Sequence, residues 1–285
     1  MGGGSYSRDS FKSYSESVNK LYDDSTGRIS NQVWKSEHLK EILNPKGKIR
    51  ECANSKEHPN TIPVIIGLDV TGSMGSACQE TAETLGVIME KLYESYKDIE
   101  VCVMGIGDFE CDDAPLQVSQ FESDVRVAQQ LDELWMEKGG GGNNYESYTA
   151  PWYYGLYRTK LDAYDKQGRK GIIITMGDEP LNPDLPVNRM RDYLGLEQVG
   201  KIDTKELYEE ASKKFDIFHI SIDSNDNCYK RYKERVDPSF KSVIGESNYK
   251  VSTINALSNT ICDCIDQALK APKHLTEDTN GDIVW

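Results

Sequence analysis

The chain has 285 residues, long enough to bury a sizeable core, and its formal net charge is −14. Residues 1–60 carry 10 Lys and Arg against 8 Asp and Glu, whereas the remaining residues carry 23 against 39. An acidic body of this kind repels nucleic acid and anionic membranes, so neither is expected as a partner. The first thirty residues lack the apolar core of a signal peptide, and no stretch approaches the ~18 apolar residues of a membrane helix. The sequence therefore predicts a soluble cytoplasmic protein.

Apolar patterns and turn residues predict the elements along the chain. Residues 1–30 are rich in Ser and Gly, which predicts a mobile or draped arm rather than a packed layer, and residues 36–44 predict one short helix that Pro45 ends. Continuous apolar runs predict strands buried on both faces, and helical periodicity predicts the segments between them. The predicted strands are 62–68, 99–106, 115–121 at an edge, 171–175, 216–222 and 249–251; the predicted helices are 77–96, 124–135 with Asp124 as cap, 145–166, 205–214 with Thr204 as cap, and 252–269.

Strands that alternate with helices are typical of βα units. The fold class predicted here is therefore α/β, with a doubly wound, Rossmann-like, mainly parallel sheet flanked by helices. We divide the chain into an N-terminal arm at 1–60 with one short helix, a domain at 61–270 and a C-terminal tail at 271–285. No element is predicted between residues 222 and 249. Residues 223–234 space their oxygen side chains like a calcium-binding loop, but Cys228 stands where such a loop needs Gly.

Residues 61–75 read Thr-Ile-Pro-Val-Ile-Ile-Gly-Leu-Asp-Val-Thr-Gly-Ser-Met-Gly, and the rest of the chain is organised around them. The apolar run is a strand that delivers Asp69 to its carboxyl end, where open α/β sheets place their ligands. Two hydroxyls follow, from Thr71 and Ser73, on a turn that glycines allow to bend tightly. A carboxylate with two hydroxyls is an all-oxygen set of the kind that Mg²⁺ prefers.

The pattern Asp-x-Thr-x-Ser after a buried strand resembles the metal-ion-dependent adhesion site of von Willebrand factor A (vWA) domains, usually written Asp-x-Ser-x-Ser. In that family a second loop, after Gly-Gly, supplies a Thr or an acidic residue, and a third loop supplies an Asp. Residues 139–147 resemble the second loop, with Asn143 at the matching position and Glu146 as a further candidate, and residues 172–179 resemble the third, with Asp178. The stretches at 67–75, 114–124 and 177–180 are similar to a bacterial and phage subfamily. The resemblance spans about residues 60–270.

The resemblance implies a non-enzymatic, divalent-metal-dependent protein-binding or scaffold module. Its metal ligands would be Asp69, Thr71, Ser73, Asn143, Glu146 and Asp178, and its cofactor would be Mg²⁺, with Mn²⁺ or Ca²⁺ as alternatives. A partner Asp or Glu would complete the shell of the ion, and an AAA+ ATPase or another assembly is one partner class that intracellular members of the family serve. Because the body is acidic, we expect Lys or Arg around the partner's carboxylate.

Other interpretations stay open. The chain could be a structural or virion-type assembly component that docks through residues 1–60 and 271–285 and keeps a vestigial metal site. An Asp69-dependent phosphoryl-transfer enzyme is a weaker alternative, because Thr71 stands where phosphatases of the haloacid dehalogenase type need a second Asp. Each predicted ligand could also have a local role, as a helix cap or a turn residue. Asp108 is a turn residue or a neighbour of the site, and the aromatic stripe of 145–166, which includes Tyr148, is core packing or a binding face.

Overall fold

The computed structural model describes residues 4–30, 36–74, 76–137, 143–197, 200–225 and 227–270. The predicted tail at 271–285 and the glycine run at 139–142 lie outside the described residues. Within them the helices are α1 (Arg8–Ser17), α2 (Ser76–Ser95), α3 (Arg126–Asp132), α4 (Ala150–Arg158), α5 (Asp162–Asp165), α6 (Val187–Leu194), α7 (Thr204–Lys214), α8 (Cys228–Ile244) and α9 (Leu257–Lys270). The strands are β1 (Leu21–Tyr22), β2 (Ile29–Ser30), β3 (Arg50–Cys52), β4 (Ile62–Asp69), β5 (Ile99–Ile106), β6 (Leu116–Val118), β7 (Thr159–Leu161), β8 (Gly171–Gly177), β9 (Asp184–Leu185), β10 (Ile202–Asp203), β11 (Phe215–Ile222) and β12 (Tyr249–Ser252).

A six-stranded sheet in the order β12-β11-β8-β4-β5-β6 forms the centre of the molecule. Its neighbours pair in parallel, except that β6 runs antiparallel to β5 at the edge. In the middle of the sheet Ile65 of β4 lies opposite Cys102 of β5 on one side and Ile173 of β8 on the other. These strands are apolar and buried along nearly their whole length, as parallel strands covered on both faces must be. The prediction of a mixed α/β fold with a mainly parallel sheet is confirmed.

Two apolar clusters flank the sheet, because successive side chains of a strand point to opposite faces. Val64 and Ile66 belong to one cluster, which includes buried residues of α2 and α9. Ile65 belongs to the other cluster, which includes buried residues of α4, α7 and α8. Helices therefore cover both faces, and the ends of the central strands are held between two packed layers. No helix in the described ranges combines the length and the apolarity needed to cross a membrane.

The N-terminal segment departs from its prediction. Tyr6 and Phe11 are buried, and Phe11 packs so closely on α2 that a Cβ at Gly86 would overlap its ring. The prediction of a mobile or draped arm is therefore wrong for residues 8–17, which form the packed helix α1. The helix predicted at 36–44 is also wrong. The carbonyl oxygens of Ile42 and Leu43 instead accept hydrogen bonds from distant donors, the guanidinium of Arg50 and the backbone of β6.

The long helix predicted at 145–166 is wrong, because the segment forms three elements. Helix α4 begins only at Ala150, with Pro151 in its first turn, where a proline is tolerated. It ends at Arg158 because the next residues, β7, pair in parallel with β3. Tertiary pairing thus overrides local helix propensity.

Three further differences concern helices: the start and length of α3, the start of α7, and the presence of α8. Helix α3 is shorter than predicted, and its cap position is Val125, while Asp124 accepts from the Arg126 backbone N–H. The cap of α7 is Asp203 rather than Thr204, since the Asp203 carboxylate accepts from two backbone N–H groups of the first turn. Helix α8 was not predicted at all. The strands β4, β5, β6, β8, β11 and β12 and the helices α2 and α9 are confirmed.

Candidate functional site

The predicted ligands of the first and third loops lie where the order of the central sheet reverses. From β4 the chain proceeds through β5 to β6 at one edge, and from β8 it proceeds through β11 to β12 at the other. The loops that leave β4 and β8 therefore diverge, and in open α/β sheets ligands bind in the crevice outside such strand ends. Asp69 is the last residue of β4 and Asp178 follows β8. Both side chains are fully buried.

Tyr148 links these two loops. Its hydroxyl donates a hydrogen bond of 2.6 Å to Asp69 Oδ2 and accepts from the backbone N–H groups of Asp178 and Glu179, each at 3.2 Å. Gly177 permits this approach, because a Cβ at that position would overlap the Tyr148 hydroxyl. Tyr148 is therefore a member of the site. The sequence analysis had assigned it only to the aromatic stripe of residues 145–166. A buried tyrosine needs a polar partner for its hydroxyl, and this requirement was the available signal.

Asp69 is held in a fixed orientation. The backbone N–H and the hydroxyl of Thr71 donate to Asp69 Oδ1 at 2.9 and 2.6 Å. Burial raises the pKa of the Asp69 carboxyl well above its usual range, the neighbouring carboxylate of Asp178 raises it further, and the hydrogen bonds from Thr71 and Tyr148 oppose the shift. The backbone of Ser73 lies in a short turn of 3-10 helix, and its side chain lies outside the described part of the molecule.

Asp178 is oriented by a helix that follows much later in the chain. Its Oδ2 accepts a hydrogen bond of 2.6 Å from the backbone N–H of Cys228, the first residue of α8. The amino end of a helix carries unpaired N–H groups and a partial positive charge, which favours a carboxylate there. The α8 terminus thus fixes Asp178 beside Asp69.

The second loop contributes Glu146 but does not bring Asn143 into contact with the others. Glu146 is buried, and burial followed by the charge of Asp69 raises the pKa of its carboxyl well above the usual range. Asn143 is partly exposed; its Oδ1 accepts from the backbone of Tyr145, and its amide lies 3.5 Å from the carboxylate of Glu110. The described contacts of Asn143 are thus with its own loop and with Glu110.

The loop after β5 adds two carboxylates to the same region. Asp108 and Asp112 are both buried, and Asp112 Oδ2 accepts a hydrogen bond of 2.7 Å from the Asp108 backbone N–H. Burial raises the pKa of Asp112 to about 6. The charges of Asp112 and Asp108 both raise the pKa of Glu146. Asp108 was a candidate neighbour of the site, whereas Asp112 was missed. The available signal was that their loop follows the strand adjacent to β4.

The carboxylate cluster consists of the buried residues Asp69, Asp108, Asp112, Glu146 and Asp178. Two of its oxygens, Asp108 Oδ2 and Glu146 Oε2, are buried without a hydrogen-bond partner within the described residues. A buried carboxylate is stable only if it is protonated, hydrogen-bonded or paired with a cation. The cluster can therefore hold either protons or a positive ion. The raised pKa values of Asp69, Asp112 and Glu146 favour their protonated forms when no cation is bound. The residues present fit a hard divalent cation, because their donors are oxygens. Over the described ranges, however, no group of three or more His, Cys, Asp or Glu side chains is arranged to hold a metal ion.

Comparison with known proteins gives no family. No family model and no curated protein matches the chain. Among solved structures it is similar to the pilus adhesin SpaC from Lactobacillus rhamnosus GG in its open conformation, with 13% identity and a TM-score of 0.48 over 79% of this chain and 31% of the adhesin. It is also similar to proximal thread matrix protein 1 of the mussel byssus, with 11% identity and a TM-score of 0.47 over 73% of this chain and 48% of that protein. The chain spans less than half of either protein, and we draw no functional argument from these similarities.

Proposed function

We propose that this protein is a non-enzymatic, cytoplasmic vWA-type module that binds a protein partner through a divalent metal ion. The observation that carries the proposal is the cluster of buried carboxylates, with two oxygens lacking a partner among the described residues, at the reversal of the strand order. The topology also supports it. Counted along the chain, the central strands lie in the order 3-2-1-4-5-6, with the third strand antiparallel, and this order supports the proposed doubly wound arrangement.

The proposed ligands are the hydroxyls of Thr71 and Ser73 and the carboxylates of Asp69 and Asp178, with Glu146 and Asn143 from the second loop. Two of these groups are oriented by other parts of the protein, because Thr71 and Tyr148 donate to the two oxygens of Asp69 and the first backbone N–H of α8 donates to Asp178. A bound Mg²⁺ would neutralise the carboxylates and offer a coordination position to a carboxylate of the partner. An AAA+ ATPase or another assembly is the partner class that we propose.

The test uses a carboxylate probe and a paramagnetic ion. Mn²⁺ is added in substoichiometric amount to the protein, and the NMR lines of N-acetyl-aspartate methylamide are compared with those of N-acetyl-asparagine methylamide. We expect broadening of the aspartate probe that exceeds that of the asparagine probe. We expect this difference to be lost in Asp69→Ala and in Asp178→Asn, which keeps an acceptor for the Cys228 N–H. Equal broadening of both probes, or broadening that both variants retain, would contradict the proposal.

One observation favours a second candidate, the structural or virion-type assembly component with a vestigial metal site. The Tyr148 hydroxyl already supplies Asp69 and the loop after β8 with polar contacts from within the protein. In that case assembly would not respond to metal, and the probes would not broaden although the protein is folded. The two candidates therefore give opposite results in the same experiment.

A further inference from the structure

The first turns of α8 carry a basic segment, residues 230–235, on an otherwise acidic chain. The segment reads Lys-Arg-Tyr-Lys-Glu-Arg, four basic residues against one acidic residue, whereas the whole chain has a net charge of −14. All six residues are exposed, while Tyr229 and Val236 on either side are buried. Because consecutive helical residues point in different directions, this part of α8 projects from the body and presents its cations to solvent.

The basic segment has a defined local geometry. Tyr232 departs from helical geometry, with φ −123° and ψ 21°, and its ring is exposed. The Arg235 guanidinium lies 5.8 Å from the centre of that ring, and Lys233 Nζ lies 5.4 Å from the centre of the Tyr229 ring. Cations held against aromatic faces lose less freedom on meeting an anion than free side chains do. The segment is thus partly ordered for an anionic ligand.

The basic segment also adjoins the carboxylate cluster. Cys228, two residues before the segment, donates the backbone hydrogen bond to Asp178. A ligand bound at the cluster would therefore lie beside exposed positive charge on its α8 side.

We propose that residues 230–235 are a docking surface for an acidic stretch of the protein partner that also supplies the carboxylate to the metal. This inference rests on the proposed function. It adds that the partner is acidic where it lies beside α8. Net charge alone led us to expect Lys or Arg around the partner's carboxylate, but residues 230–235 present four basic side chains against one acidic side chain, which favours further Asp or Glu on the α8 side. A nucleic acid is the less favoured ligand, because its long phosphate chain would extend over the acidic body.

The test measures fluorescence anisotropy of two hexapeptides with a neutral label, Gly-Asp-Gly-Glu-Glu-Glu and Gly-Asp-Gly-Gln-Gln-Gln, with Mg²⁺ and with chelator. The triple variant Arg231→Gln, Lys233→Gln, Arg235→Gln removes the basic segment. The matched control, Lys166→Gln, Lys170→Gln, Lys213→Gln, removes the same charge from exposed positions just ahead of β8 and β11, at the other end of the sheet. We expect the triple variant to bind the Glu peptide about tenfold more weakly and the control to bind it like wild type.

The outcomes separate this inference from the proposed function. Unchanged, Mg²⁺-dependent binding in the triple variant would overturn the docking surface and leave the metal site intact. A selective loss in the triple variant that is the same with Mg²⁺ and with chelator would support the docking surface and contradict the metal site. Equal losses in the triple variant and the control, no binding of the Glu peptide, or tighter binding of a single-stranded oligo-dT of the same charge would overturn the inference.

Discussion

Buried ionisable side chains lie at both ends of the central sheet, and in the described residues their hydrogen-bonding differs between Lys214 at one end and Asp108 and Glu146 at the other. Ahead of β11, the buried ammonium of Lys214 donates to the carbonyl oxygens of Gly155, Leu156 and Thr159 at 3.0, 3.1 and 2.8 Å. These carbonyls lie at the carboxyl end of α4, where a cation is favoured. At the opposite end, Asp108 and Glu146 each keep a buried oxygen for which the described residues supply no donor.

We interpret this difference as one between a structural charge and a candidate binding site. Burying a charge is costly unless hydrogen bonds or an opposite charge offset the lost hydration. Lys214 uses its three donors within the protein, so its role is to hold α4 against the sheet. At the opposite end, burial and the charge of Asp178 raise the pKa of the Asp69 carboxyl, and burial and the charge of Asp69 raise the pKa of Glu146. A bound cation, as proposed above, would offset these effects.

The largest expected effect is at the satisfied end. Lys214→Met keeps the length of the side chain but leaves three carbonyl oxygens without their donor, so we expect the free energy of unfolding to fall by about 2–4 kcal/mol. Urea unfolding with and without Mg²⁺ measures this loss, which should be the same in both. The control is Lys213→Met, whose ammonium is exposed and bonded only to Glu210 in the described contacts, and which should change stability little. Equal losses of stability in Lys214→Met and Lys213→Met would contradict the structural role of Lys214.

A smaller loss is expected within the site. Tyr148→Phe removes the donor to Asp69 and the acceptor for two backbone N–H groups, all buried, and should cost about 1–3 kcal/mol in the metal-free protein. Tyr154→Phe is the matched control, because it removes a buried tyrosine hydroxyl that donates to the carbonyl oxygen of Lys48, outside the candidate site. Urea unfolding of both variants measures the difference. A Tyr148→Phe loss no larger than that of the control would show that Tyr148 does not tie the two loops together.

The smallest expected effect has the opposite sign. Glu146→Gln should stabilise the metal-free protein at neutral pH by about 1–2 kcal/mol, because the folded state must keep a proton on Glu146 that the unfolded state has released. Since the folded pKa is raised, the wild type loses stability as pH rises above the usual carboxyl value of 4.5, and the advantage of the variant should grow with pH.

Urea unfolding across pH 5–8 tests this sign, given that each pKa unit is worth about 1.4 kcal/mol. The control is Glu110→Gln, an exposed carboxylate near the same loop, for which we expect a difference within about 0.5 kcal/mol at every pH. In Mg²⁺ the advantage of Glu146→Gln should shrink or reverse, because the variant has lost a ligand. A destabilised Glu146→Gln without metal would contradict the idea that the cluster lacks a partner.

The sequence predicted the framework of the site because strand ends follow from burial patterns. A continuous apolar run specifies a strand buried on both faces, and the parallel order then brings its carboxyl end to a common edge, which located Asp69 and Asp178. The second loop was harder to predict. Its glycines lie outside the described residues, and Asn143 and Glu146 carry no pattern that distinguishes a ligand from a helix start.

The remaining errors come from interactions between distant segments. Residues 159–161 have helical neighbours but form β7 because β3 lies beside them. In the segment 36–44, the carbonyl oxygens of Ile42 and Leu43 accept from Arg50 and from β6. Helix α8 carries Pro238 inside it and non-helical geometry at Tyr232, so its periodicity is interrupted. Because α8 was not predicted, the sequence analysis identified neither the N–H donor to Asp178 nor the basic segment.

The most direct test of a cation at the carboxylate cluster is calorimetric titration of Mg²⁺, and separately of Mn²⁺ and Ca²⁺, into chelator-treated protein, continued to several millimolar. Asp69→Ala and Asp178→Asn are titrated beside the wild type after circular dichroism shows that they are folded. We predict saturable heat with one site in the wild type and its loss in both variants. The absence of heat in the folded wild type, or equal heat in all three proteins, would contradict the account.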